Sequence, residues 1–196
     1  MTGMLLYLRS RRVPLALAAA VGGAAVIWVL HLTFAEDRDA TPLVVVLTVL
    51  LMVAALAPTL AGPDANLDRT ASLRWPWRRG GHVLAGLVIV VAVLLATLHT
   101  AARFGPAALV ARDAAGLLGL TALCTSVVGA ARSWFLPVGW TTIAALYPQG
   151  GVWGAVATWQ GQPADSRAAT VTAVTFALAG LVAYAFGGPA RTEPSE

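Results

Sequence analysis

Apolar residues fall in long runs along this chain, and the polar ones gather in short clusters between them. A membrane-crossing helix needs about 20 consecutive apolar residues. Six runs approach that length: Val13 to Leu32, Thr41 to Ala61, His82 to Thr100, Ala107 to Ala131, Ser133 to Trp159 and Ala168 to Gly187. The fourth is interrupted near its start by Arg112 and Asp113, and the fifth by the stretch YPQGG, Tyr147 to Gly151. The pattern predicts an all-α, polytopic membrane protein with six transmembrane helices. Residues 1–12 form a short N-terminal segment, 13–187 the transmembrane domain, and 188–196 a tail. The opening MTGMLLYLRSRR mimics the start of a signal peptide, but the run behind it exceeds the roughly 7–15 apolar residues of such a peptide. The expectation is a first span that is retained.

Composition agrees with the pattern. Of 196 residues, 58% are apolar and 11% charged, with a mean hydropathy of +0.76, whereas a soluble domain carries about a quarter charged residues. The basic residues are all arginine, and alanine and glycine abound, which reads as the bias of a GC-rich genome. The net charge of +4 is no sign of nucleic-acid binding, because basic residues in a membrane protein are placed first by topology. With the N-terminus inside, the inner segments hold Arg9, Arg11, Arg12, Arg69, Arg74, Arg78, Arg79, Arg132 and Arg191. The outer segments hold only Arg38, Arg103, Arg112 and Arg167, and the first outer loop, AEDRDA, is net acidic. Excess arginine marks the cytoplasmic side. Both termini are therefore expected in the cytoplasm, with the chain in a bacterial plasma membrane and the loop 62–81 on the inner face. The lone Cys124 excludes an intrachain disulfide and a cysteine-rich metal site, and it reads as a small buried residue.

The loop GPDANLDRTASLRWPWRRGGH concentrates the charge of the chain. Asp64 or Asn66 can cap a short helix, and Pro76 stops or kinks it. Trp75 and Trp77 suit the headgroup level of a bilayer. Two interpretations stand. The arginines hold the loop inside and attract anionic lipid, at roughly 1 kcal/mol per basic residue, or the loop docks a cytoplasmic partner.

Six spans with this loop resemble the permease subunits of type-2 ABC exporters. In that family the loop after the second span runs through an acidic residue, a small pair, a short helix, a proline and a basic cluster. Asp68, Arg69, Thr70 and Ala71 stand at the acidic and small positions, Leu73 in the short helix, Pro76 at the proline, and Arg78 and Arg79 at the basic cluster. ARDAAGLLGLTAL, Ala111 to Leu123, also resembles the opening of the fourth span in permeases of this kind from actinobacteria. The resemblance implies a coupling helix seated on a separate ABC ATPase subunit, and a second permease chain, identical or similar, as partner. It departs from the family in being shorter, with the elbow helix before the first span reduced to MTGMLLYLRSRR. No GxxxxGK[ST] occurs in the chain, so the ATPase would be another polypeptide.

Within the spans, Pro148 removes a backbone donor and Gly150 and Gly151 weaken the helix. The segment after the break, Val152 to Trp159, is too short to cross. It either continues a kinked helix or forms a re-entrant helix, which the resemblance favours, with Trp153 and Trp159 at the outer interface. Arg112 and Asp113 are costly in lipid. They snorkel near a helix end, with Asp113 as an N-cap, or join Pro148 and Gln149 on a gating or substrate path. His31, His82 and His99 share no ligand spacing and read as interfacial residues. Gly22, Gly23, Gly116, Gly119 and Gly180 permit close helix approach. No metal and no cofactor is expected.

Enzyme chemistry ranks low. Ser126 has no evident base, HExxH is absent, and the glutamates Glu36, Glu193 and Glu196 all lie outside the spans. The rivals to an ATP-driven permease are an ion-coupled small transporter, which usually places carboxylates at the midplane, and a non-transporting structural or regulatory subunit. The apolar bundle leans toward a hydrophobic or amphipathic cargo.

Overall fold

The computed structural model describes residues 11–61, 75–147 and 151–190, and in them every regular element is helical. The helices are α1 (Val13–Phe34), α2 (Pro42–Leu56), α3 (Trp75–Ala96), α4 (Ala107–Val128), α5 (Phe135–Leu146), α6 (Gly151–Ala157) and α7 (Arg167–Gly187). Short 3-10 turns extend α2 over Ala57–Leu60 and α3 over Thr97–His99, and single turns follow at Ala130–Arg132 and Trp159–Gly161. Counting those extensions, five segments are long and apolar enough to cross a membrane: Val13–Phe34, Pro42–Leu60, Pro76–His99, Ala107–Val128 and Arg167–Gly187.

Local chemistry sets the helix starts. The Thr41 hydroxyl accepts from the Val44 N–H, with Pro42 in the first turn of α2, and the Ser166 hydroxyl accepts from the Ala169 N–H at the start of α7. Pro76 is the second described residue of α3, and the short helix that the loop pattern placed ahead of it lies outside the described residues. The third long helix carries Arg78 and Arg79 within it. Asp113 is not an N-cap. Pro106 precedes α4, and Asp113 lies within the helix, fully buried.

α4 is the axis of the bundle. Within its most apolar stretch 72% of residues are buried, against 17% for α1 and for α3, which lie at the periphery. α7 runs parallel to α4. Arg112 meets Pro163 just before α7, Gly119 meets Ala177, and the Ala190 N–H donates to the Thr125 carbonyl, so both chains advance together. Small residues make this approach possible. A side chain at Gly180 would overlap the Gly119 backbone, and one at Gly119 would overlap the backbone of Phe176 and Ala177.

The predicted fifth span is not one helix. Trp140 Nε1 donates to the Ala157 carbonyl at 2.6 Å, although a continuous helix would hold these residues about 25 Å apart. The chain turns back after Leu146, and α6 packs on α7. Trp159, expected at an interface, is instead wholly buried against Gly116, while Trp153 is exposed.

At one end of the bundle the loops at residues 35–41 and 100–106 pair. The Arg103 N–H donates to the Arg38 carbonyl and the Ala40 N–H to the Arg103 carbonyl, each at 2.8 Å. Trp28 Nε1 reaches Thr100 and Ala102 at the same end.

The α4–α7 contact predicts a sharp contrast between two glycines. Gly180→Leu is expected to cost at least about 3 kcal/mol, the upper end for overpacking, and to abolish a monodisperse peak on size-exclusion chromatography in detergent. Gly22→Ala, where an added Cβ meets nothing within 4 Å, leaves the elution profile and Tm as they are.

Candidate functional site

The loop 62–74 leaves α2 and enters α3 at the end of the bundle opposite the paired loops. Asp68, Arg69, Thr70 and Leu73 lie outside the described residues, as do Pro148 and Gln149, whereas Pro76, Arg78 and Arg79 are described. The side chains around the two flanks of the loop form one polar cluster. Arg11 Nη1 donates to the Tyr184 hydroxyl at 3.0 Å and to the Thr59 carbonyl at 3.3 Å. The Tyr184 hydroxyl in turn donates to the Leu60 carbonyl at 2.8 Å. Thr59 Oγ1 donates to the Leu56 carbonyl, so its contact of 2.9 Å with His82 Nε2 is one in which the histidine is the donor. Arg11 and Tyr184 are buried, at 2% and 0% exposure.

This cluster fastens four elements. Arg11 precedes α1, Thr59 and Leu60 end α2, His82 belongs to α3, and Tyr184 to α7. Arg79 adds a second tie between α3 and α7. Its guanidinium lies over Gly188, where a Cβ would sit 2.6 Å from Nη1 and where φ is +70°, so both space and backbone require glycine. Arg78, one position earlier, is exposed. The sequence pattern assigned Arg11 only to topology and His82 to an interface. It passed over Thr59 and Tyr184, although a tyrosine near the end of an apolar span needs a partner for its hydroxyl when buried, and that was the available signal.

At the opposite end, Arg112 and Asp113 come together as a buried pair, Nε to Oδ1 at 2.9 Å. The guanidinium also donates through Nη1 to the Pro163 carbonyl and through Nη2 to the Gln162 carbonyl, each at 2.8 Å. Arg112 thus clamps the segment that returns from α6 onto α4. Nearby, Gln160 Nε2 reaches Thr141 Oγ1 at 3.4 Å and Gln162 Nε2 reaches Thr158 Oγ1 at 2.8 Å. Asp113 Oδ2, Gln160 Oε1 and Trp159 Nε1 are buried without a hydrogen-bond partner among the described residues. Gln160 was not singled out by the sequence pattern, since a single amide in an apolar stretch carries no periodic signal.

The two clusters yield separate predictions. Tyr184→Phe removes one donor and one acceptor from the first, and is expected to cost about 1–3 kcal/mol, seen as a lower Tm in intrinsic tryptophan fluorescence. Arg112→Leu leaves the Asp113 carboxylate buried and unpaired, at a cost of about 3–5 kcal/mol. The double variant Arg112→Leu/Asp113→Leu recovers a large part of that loss in the same assay. No protein-family model, curated protein or solved structure matches the chain.

Proposed function

We propose that this chain is the membrane-spanning, permease-like subunit of an ATP-driven exporter of the ABC type, acting with a second permease chain and a separate ATPase. In this proposal the interrupted segment from α5 to α7 completes a sixth crossing, both termini face the cytoplasm of a bacterial cell, and the loop 62–74 docks the ATPase. The observation that supports it is the polar cluster at the flanks of that loop. A push on the loop is delivered at once to α2 and α3, and through Arg11, Tyr184 and Arg79 to α1 and α7. A rigid link of that kind is what alternating access driven from outside the bundle requires. Charge sorting supports the orientation. Among the described residues Arg11, Arg12, Arg78, Arg79 and Arg132 lie at the loop end, against Arg38, Arg103, Arg112 and Arg167 toward the other, and the sequence of the loop itself adds Arg69 and Arg74 to the first group.

One observation favours a second reading, an ion-coupled carrier. Asp113 is a fully buried carboxylate in a membrane helix with one oxygen unpartnered among the described residues, and intramembrane carboxylates mark ion and proton paths in such carriers.

Purification of the chain from its own membranes in mild detergent separates the two. The permease proposal expects a Walker-motif ATPase to co-purify, and Asp68→Ala to weaken that association by about tenfold or more, the loss of one charged hydrogen bond. Isolation of the chain alone, with proton-dependent flux in liposomes that Asp113→Asn abolishes, would establish the carrier instead.

A further inference from the structure

α3 and α7 diverge where two glycines follow one another. Gly80 faces Leu181 and Ala185, its missing side chain leaving ordinary contact distances of 3.8 and 3.9 Å, and Gly81 opens onto nothing within 4 Å. The result is a lateral groove of about 680 Å³ with Pro76 and Trp77 on one side and Leu181 and Phe186 on the other. Trp77 and Phe186 stand at its rim, 78% and 75% exposed. The walls are apolar and the groove opens sideways, to the surroundings of the bundle, and not along its axis.

We infer that this groove holds an acyl chain of an anionic phospholipid, with the lipid phosphate against the exposed Arg78. A bilayer offers hydrocarbon chains to an apolar lateral groove, and a chain seated there covers surface that water would leave unfavourably wetted. The headgroup choice follows from charge. Arg78 follows the groove residue Trp77 on α3 and is exposed, and no Asp or Glu among the described residues stands at this end to offset it. Arginine binds a phosphate through two parallel N–H donors, and the Trp77 indole belongs at headgroup level with its apolar body on the chain. A free phosphate would gain nothing from the groove; a lipid uses both parts. The inference does not depend on the permease proposal.

The test is native mass spectrometry of the purified full chain, delipidated and then equilibrated with equimolar phosphatidylglycerol and phosphatidylcholine of the same chain length. The expected result is retention of phosphatidylglycerol over phosphatidylcholine by about fivefold, the factor one basic residue contributes at a membrane surface. Gly81→Leu fills the groove and lowers retention of both lipids. Arg78→Gln removes the preference and keeps phosphatidylcholine binding as it was, and Arg132→Gln, away from the groove, changes neither. Equal retention of the two lipids by the unaltered chain, or wild-type retention in both Gly81→Leu and Arg78→Gln, would overturn the inference. So would an equal loss in Arg132→Gln and Arg78→Gln, which signals diffuse attraction to a basic end. Should Gly81→Leu fail to fold, the comparison of the two arginine variants decides the matter, since both side chains are at the surface.

Discussion

The contact between Gly119 and Gly180 brings the backbones of α4 and α7 together with no side chain between them. In lipid there is little hydrophobic gain from helix association, and close van der Waals packing of small residues is what holds helices to one another. Because α4 and α7 run parallel, the chain cannot pass between them by a short loop. It must travel back along the bundle, from Gly129 to Ser166. The interrupted pair α5 and α6, the buried turn at Trp159–Gly161 and the Arg112 clamp all belong to that return path. One glycine pair thus sets the topology of the last third of the molecule.

The bundle disposes of its polar groups by two routes. Threonine and serine hydroxyls inside the helices donate to the carbonyl a turn earlier, as Thr48, Thr121, Thr125 and Ser126 do, which satisfies them without any partner helix. The larger polar side chains cannot close on their own helix. They are sent to the two ends, where Arg11 and Tyr184 meet terminal carbonyls of α2, His82 meets the Thr59 hydroxyl, and Arg112 meets the carbonyls ahead of α7. The middle of the bundle is left to apolar packing, and the ends become the places where helices are tied. Asp113 Oδ2 and Gln160 Oε1 are exceptions, and they lie where the broken segment rejoins α4.

Long apolar runs made the helices readable from sequence, because a span declares itself by length and composition alone. The ends of α1, α2, α4 and α7 fall within a few residues of the runs. What failed depended on context. The buried state of Trp159 depends on the empty face of Gly116, a residue more than forty positions away along the chain. Arg79 and Gly188 likewise form one feature from two distant residues, neither of which announces the other. The glycines expected to allow close approach did so at Gly116, Gly119 and Gly180, while Gly22 faces open space. The sequence could supply the permissive residue but not its partner.

A parallel pair of helices also adds its backbone dipoles, where an antiparallel pair would cancel them. The amino ends of α4 and α7 place two partial positive charges side by side, and their carboxyl ends place two partial negative charges together at the opposite end. Asp113, in the second turn of α4, and Asp165, just ahead of α7, stand near the positive pole. Arg132, after α4, and Arg79, lying over Gly188 at the end of α7, stand near the negative one. Each such placement is worth only about 0.3–1 kcal/mol, and Arg112 and Arg167, at the amino ends of the same two helices, have the opposite sign. The parallel pair thereby acquires an electrical axis along its length, set by its backbone and only partly matched by the charged residues at its ends.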